Sequence, residues 1–143
     1  MLRIAWLICA YGLKLRAMNR KNHVTLGLFV GAAAGIGGYA IHCRRSGEPV
    51  KWVELLLHGG SGALMGMLAG ALPDILERPV HPHHRGTFHS LSMLAALIFF
   101  TGSWFRRTLD KGGDCSPLVL GGVLGYCSHL VSDSLTPMGL PLL

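Results

Sequence analysis

The chain has 143 residues, of which 50% are hydrophobic and only 14% are charged. This length supports one domain at most, and soluble domains usually carry about 25% charged residues. A mean hydropathy of +0.44 and 20 glycines therefore favour a membrane protein over a soluble one. The net charge of +6 lies mainly between hydrophobic segments and is not accompanied by a nucleic-acid-binding motif. We expect membrane lipid as a partner and no nucleic acid.

The N-terminal residues 2–13 are apolar but too few to cross a bilayer, which requires about 20 residues. A basic linker follows at residues 14–21, and Met18 within it could serve as an alternative start. We therefore divide the chain into a short apolar extension, residues 1–17, and a membrane domain, residues 18–143.

Four hydrophobic segments follow, at about residues 23–42, 52–72, 89–105 and 118–132. The first contains no Asp, Glu, Lys or Arg, and twenty helical residues rise about 30 Å, which matches the hydrocarbon thickness. In the second, Gly62, Gly66 and Gly70 leave one helix face flat for close packing, and Pro73 is predicted to end the helix. The last two segments are short.

The predicted fold is an all-α, polytopic membrane protein, built as an antiparallel four-helix transmembrane bundle. Short loops between consecutive helices require antiparallel neighbours. The alternative is a soluble all-helical bundle with buried helices, but four segments this poor in charge leave little polar surface for water.

Titratable side chains lie near four helix ends that such a bundle brings to one face. These ends are the start of the first helix, the end of the second, the start of the third and the end of the fourth. His129 and Asp133 are spaced i, i+4, so they share one helix face and can bind one ion together. A hydrogen bond at the helix end is the alternative for this pair. The predicted metal ligands are His23, Asp74, His84, His89, His129 and Asp133.

The loop before the third helix holds four histidines within residues 81–89. His84 and His89 are the predicted ligands among them, and Arg85 offers a guanidinium to an anionic substrate. A solvated, histidine-rich loop is the alternative. Glu77 is available as a further ligand or as a general base. Histidine and carboxylate without cysteine suit zinc, manganese, iron or magnesium, and zinc is the default for hydrolysis.

Three segments resemble the YdjM-like family of bacterial inner-membrane, metal-dependent hydrolases. They are residues 72–75 (LPDI), 84–90 (HRGTFHS) and 125–143 (GYCSHLVSDSLTPMGLPLL). The resemblance covers roughly residues 18–143, and the segment from Met18 to His23 is similar to the family's beginning. Two positions depart from the family pattern: Leu76 stands where members often carry a second aspartate, and Thr87-Phe88 reverses the usual order.

The resemblance implies a metal-dependent hydrolase in the inner membrane, and the expected position of the site at headgroup depth favours a phosphoester or lipid-like substrate. In this hypothesis a divalent ion, zinc by preference, activates water. Glu77 or Asp133 accepts the proton, and Arg85 holds the anionic substrate. The alternative is a non-catalytic integral membrane protein with a metal-binding, transport or membrane-stress role. Transporters place ionisable groups near the bilayer midplane, whereas these lie at helix ends.

Overall fold

The structure, a computed structural model, describes residues 20–77, 86–136 and 139–142, and it is all-α within these ranges, as predicted. The extension predicted for residues 1–17 lies outside the described residues, as do His84 and Arg85. The described helices are α1 (Arg20–Ser46), α2 (Trp52–Leu76), a short 3-10 helix (Thr87–His89), α3 (Leu91–Asp110) and α4 (Pro117–Ser134).

Two of the described helices are long and apolar enough to cross a membrane: Lys21–Ser46 in α1 and Trp52–Leu76 in α2, with mean hydropathies of 1.7 and 1.4. Only 28% and 22% of the residues in their apolar stretches are buried within the protein. Phe29 and Leu56 remain 65% and 74% exposed. A core helix of a soluble protein would be mostly buried, so this surface favours surrounding lipid over the soluble-bundle alternative.

The end of α2 differs from the sequence prediction. Pro73 does not end the helix, which continues to Leu76 with Pro73 buried inside it. Proline removes only its own N–H, and its carbonyl still accepts a hydrogen bond from the backbone N–H of Glu77 at 2.9 Å. The additional helical residues place Asp74 on α2 itself rather than in a loop.

Helices α1, α2 and α4 pack against one another through glycine. A Cβ atom added to Gly66 would overlap the carbonyl oxygen of Gly27 in α1, and one added to Gly125 in α4 would overlap Gly66. The backbones therefore touch directly, as small residues allow in membrane helices. The glycines whose added Cβ would overlap backbone of a neighbouring helix are Gly27, Gly31, Gly35, Gly62, Gly66, Gly70, Gly121 and Gly125.

Helix α3 lies outside this three-helix unit and packs mainly against α4. Leu94 joins a small apolar cluster with Tyr126, Cys127 and Leu130 of α4. The backbone N–H of Leu91 also donates to the carbonyl of Pro141 at 2.8 Å, which fixes the start of α3 to the segment after α4.

The two ends of the bundle hold different polar groups. At one end, His58 of α2 stacks on Tyr39 of α1 with ring centroids 4.7 Å apart, and its Nε2 lies 3.1 Å from Asp114, which precedes α4. These contacts indicate a structural role for His58. They also agree with the antiparallel arrangement of α1, α2 and α4. The candidate site lies at the other end.

Candidate metal centre

Five predicted ligands from four separate parts of the chain meet at one end of the bundle. His23, His89 and His129 are almost fully buried, as is Asp133. Two overlapping groups place one ligand atom of each member within 4.8 Å of the others: His23, His129 and Asp133, and Asp74, His89 and His129. The convergence expected from up-and-down connectivity is therefore present among the described residues. His84, the sixth predicted ligand, lies outside them.

The spacing of these atoms matches the edges of a metal coordination polyhedron. Four ligands about 2.0–2.2 Å from one zinc ion stand about 3.3–3.6 Å from one another. His23 Nε2 lies 3.4 Å from Asp133 Oδ1, and His89 Nε2 lies 3.4 Å from Asp74 Oδ1. His129 Nε2 lies 3.6 Å from Asp133 Oδ2 and 3.7 Å from Asp74 Oδ1. Within each of the two groups, these spacings therefore suit the ligands of one ion.

In two of the histidines, the Nδ1 atom already donates a hydrogen bond to a neighbouring oxygen. His129 Nδ1 donates to the carbonyl oxygen of Gly70 at 2.8 Å, and His89 Nδ1 donates to Glu77 Oε2 at 2.8 Å. With a proton on Nδ1, each neutral ring presents a lone pair on Nε2, and the two Nε2 atoms lie only 3.2 Å apart. Two lone pairs at this distance repel, so the pair requires a cation or an added proton between the rings.

His23 completes the cluster from α1. Its ring stacks on that of His129, with centroids 3.9 Å apart. Its Nδ1 atom is buried and has no hydrogen-bond partner among the described residues. Burying an unsatisfied polar atom is costly, so this nitrogen is available to water or to a bound molecule.

Glu77 links the end of α2 to the 3-10 helix through hydrogen bonds. Its Oε2 accepts hydrogen bonds from the Gly86 N–H at 2.9 Å and from His89, and its Oε1 accepts the Phe88 N–H at 3.0 Å. Both carboxylate oxygens are thus engaged. This arrangement favours an orienting role for Glu77, such as carboxylates commonly play beside metal-binding histidines, over the general-base role expected from sequence.

Glu77 and His89 each stabilise the charged form of the other. Burial opposes ionisation of Glu77, but the hydrogen bonds from Phe88, His89 and Gly86 prevail and hold the pKa of its carboxyl below the ordinary value. Burial likewise opposes protonation of His89, yet its hydrogen bonds to Asp74 and Glu77 raise the pKa of the ring above the ordinary value. The site therefore favours positive charge at the centre of its carboxylates, which a metal ion would supply.

Two supporting residues were not anticipated from the sequence. The Tyr126 hydroxyl donates to the Phe88 carbonyl at 2.9 Å, which ties α4 to the 3-10 helix. Ser90 is fully buried and caps α3 by accepting the N–H of Met93 at 3.2 Å. A sequence signal existed for both: Tyr126 precedes His129 by three residues on one helix face, and Ser90 directly precedes an apolar helical segment.

Comparison with known proteins gives one family. Residues 18–143 match the family model described as YdjM inner membrane protein. Over 60 residues the chain is 38% identical to the inner membrane protein YdjM of Escherichia coli (strain K12), and the same values hold for that of Shigella flexneri. This alignment covers 42% of the chain and 29% of each relative, so the chain matches less than a third of their length. No solved structure matches.

Proposed function

The chain belongs to the YdjM inner membrane protein family, and on this premise we propose that it is a membrane-bound, metal-dependent hydrolase acting on a phosphoester or lipid-like substrate at the membrane interface. The observation that carries the metal site is the pair of Nε2 atoms, on His89 and His129, that face each other at 3.2 Å while both Nδ1 atoms donate elsewhere. The buried Nδ1 of His23, on the ring that stacks on His129, adds a polar atom without a hydrogen-bond partner among the described residues.

The donor set favours one ion. His129 belongs to both candidate groups, but its Nδ1 is bound to Gly70, so it has only Nε2 to offer. Three imidazoles with two carboxylates suit zinc best, and manganese or iron can also accept them, whereas magnesium prefers oxygen alone. When bound, such an ion acidifies water and neutralises charge on a phosphoryl oxygen.

The protein's own residues then have distinct roles. His89 and His129 provide neutral nitrogen donors that Glu77 and Gly70 hold in place. Asp74 balances the charge of the ion, and Asp133 both contributes a ligand atom and accepts the proton lost by water. His23 would provide the third imidazole through Nε2, next to Asp133. Arg85 remains the residue expected to bind the anionic part of the substrate.

The position of the cluster supports a membrane-derived substrate. Its members lie at one end of the bundle, and in a bilayer spanned by α1 and α2 this end would stand at headgroup depth. A phosphoester in a lipid headgroup would meet the site at this depth without leaving the membrane. A soluble phosphoester would reach the same end from the water.

The test begins with metal analysis of protein purified in detergent. We expect about one equivalent of zinc, and its loss in His129→Ala, because one ligand and the contact to Gly70 disappear together. His42→Ala is the control, since His42 lies at the other end of α1. Hydrolysis of phospholipids and of p-nitrophenyl phosphate esters is then measured for the same proteins. Bound metal without any hydrolysis would favour the non-catalytic alternative, and a metal-free protein after zinc addition would reject the site.

A further inference from the structure

The end of the bundle opposite the metal centre carries a cluster of cations. Its five members are exposed and lie at the neighbouring ends of α1 and α3: Arg44, Arg45, Arg106, Arg107 and Lys111. None of these side chains forms an ion pair or a hydrogen bond with another described residue. Within four positions of them the sequence holds Glu48, Asp110 and Asp114, and Asp114 already contacts His58. This end of the protein therefore keeps an excess of positive charge.

A polar pocket lies between these two helix ends and has a volume of about 240 Å³. Its lining comes from His42, Arg45 and Ser46 of α1 and from Leu109, Asp110, Gly112 and Gly113 at the end of α3. The Ser46 hydroxyl is already used, because it donates to the His42 carbonyl at 3.0 Å. The side chains of His42 and Arg45 make no polar contact with the described residues. A guanidinium and an imidazole that share one pocket can bind a phosphate group.

The wall that α3 contributes is fixed by its own backbone. The N–H of Gly112 donates to the Leu109 carbonyl at 3.0 Å, and the N–H of Gly113 donates to the Thr108 carbonyl at 2.9 Å. Gly112 has a φ of 71°, a conformation that glycine adopts without steric cost. These bonds satisfy carbonyl groups in the last turn of α3, so the shape of the pocket does not depend on a ligand.

An apolar groove continues from the polar pocket between the same two helices. It has a volume of about 380 Å³ and is lined along α1 from Ala34 to Ile41 and along α3 from Leu97 to Phe105. Ile41 directly precedes His42, and on α3 the groove ends one helical turn before the pocket begins. The two helices stand apart here because α3 packs mainly against α4. The space is therefore polar where the charged residues of α1 begin and apolar further along the helices.

We propose that the space between α1 and α3 binds one anionic glycerophospholipid, with its phosphate on Arg45 and His42 and one acyl chain in the apolar groove. In a bilayer spanned by α1, the polar pocket would stand at headgroup depth. The excess of positive charge favours a lipid of net negative charge over a zwitterionic one. Asp110 can accept a hydrogen bond from a headgroup hydroxyl, such as those of phosphatidylglycerol. The proposal does not rest on the hydrolase function, because the metal centre lies at the other end of α1.

The first experiment compares two neighbouring arginines. Purified protein in detergent is titrated with phosphatidylglycerol, and the bound lipid is counted by native mass spectrometry. Arg45→Gln should weaken binding about tenfold, the effect of losing one charge-assisted hydrogen bond to phosphate. Arg44→Gln removes the same charge from the same helix end, but Arg44 does not line the pocket, so affinity should fall about twofold at most. Equal losses in the two variants would overturn the proposal, because binding would then follow total charge alone.

The second experiment identifies the headgroup. The same titration is made with phosphatidylethanolamine and with the water-soluble sn-glycerol 3-phosphate. We expect both to bind about tenfold more weakly than phosphatidylglycerol. Phosphatidylethanolamine that binds as tightly, and loses affinity in Asp110→Asn, would place an ammonium group on Asp110 and reject an anionic lipid. Glycerol phosphate that binds as tightly as the lipid would show a site for soluble phosphate and reject the acyl chain.

The third experiment tests the groove with two glycines. A Cβ atom added to Gly37 or to Gly60 meets nothing within 4 Å, but Gly37 lines the groove and Gly60 does not. Gly37→Leu should reduce phosphatidylglycerol binding about tenfold, the effect of losing burial of roughly two methylene groups. Gly60→Leu should bind as the unaltered protein does. Thermal unfolding in detergent and zinc content should match in all proteins. Unchanged binding in Gly37→Leu would show that no acyl chain occupies the groove.

Discussion

Glu77 Oε2 lies 2.8 Å from His89 Nδ1, and this one hydrogen bond links the end of α2 to the imidazole at the centre of the site. The same carboxylate also receives the backbone N–H groups of Gly86 and Phe88. Glu77 therefore fixes both the orientation of the His89 ring and the path of the chain that carries it.

The first prediction concerns the hydrogen bonds of Glu77. Glu77→Gln should lower metal affinity about 10–100-fold, because the amide supports the His89 ring less well than a carboxylate does. Zinc affinity is measured by competition with a chromophoric chelator. Glu48→Gln, at the exposed end of the bundle opposite the site, is the control and should bind zinc normally. Unchanged affinity in Glu77→Gln would show that Glu77 does not support a ligand.

A second prediction concerns Tyr126. Tyr126→Phe removes the hydroxyl that donates to the Phe88 carbonyl and should cost about 1–3 kcal/mol, since that carbonyl loses its partner. Thermal unfolding in detergent gives the stability, and the chelator assay gives the affinity. We expect a lower melting temperature and a smaller loss of zinc affinity than in Glu77→Gln. A melting temperature equal to that of the unaltered protein would argue that this contact is dispensable.

The third prediction compares two glycines of α2. Gly66→Ala should destabilise the bundle by about 1–3 kcal/mol, because the added methyl group overlaps the Gly27 carbonyl and forces the helices apart. Gly60→Ala has open space around its new methyl group and gains helix propensity, so its stability should be equal or higher. Unfolding temperatures in the same detergent test the contrast. Two equally stable variants would contradict the close approach of α1 and α2.

The fourth prediction addresses the end of the bundle opposite the site. Asp114→Asn weakens the contact with His58, but the Asp114 side chain is 40% exposed, so the loss should stay below about 1 kcal/mol. Zinc content should not change, because this pair lies at the opposite end of α2 from Asp74. A substantial loss of zinc in Asp114→Asn would mean that the two ends of the bundle are coupled.

Much of this arrangement was predictable from the sequence, and for identifiable reasons. Hydrophobic length and the rarity of charge predict membrane helices, and the all-α fold is confirmed. Four spans were predicted, whereas two of the described helices meet the criteria of length and apolarity. The meeting of His23, Asp74, His89 and His129 followed from alternating helix direction alone. Their role as metal ligands remains a prediction.

Other features depend on tertiary structure that no local pattern specifies. The sequence showed a glycine stripe on α2, but it could not show that Gly27 and Gly125 lie on either side of Gly66. The engagement of Glu77 depends on the turn formed by Gly86 and the 3-10 helix. The predicted end of α2 was wrong, because a proline in the last helical turn removes only its own N–H donor. The next residues can still remain helical.

The glycine contacts have a mechanical consequence for the whole protein. Where backbone meets backbone, no side-chain rotamer is available to absorb a displacement, so α1, α2 and α4 should respond to stress as one rigid body. When the surrounding bilayer thins or thickens, this body can tilt as a whole, and the spacing of the ligands it carries stays constant. The adjustment then falls on α3, whose contacts lie mainly with a single neighbour.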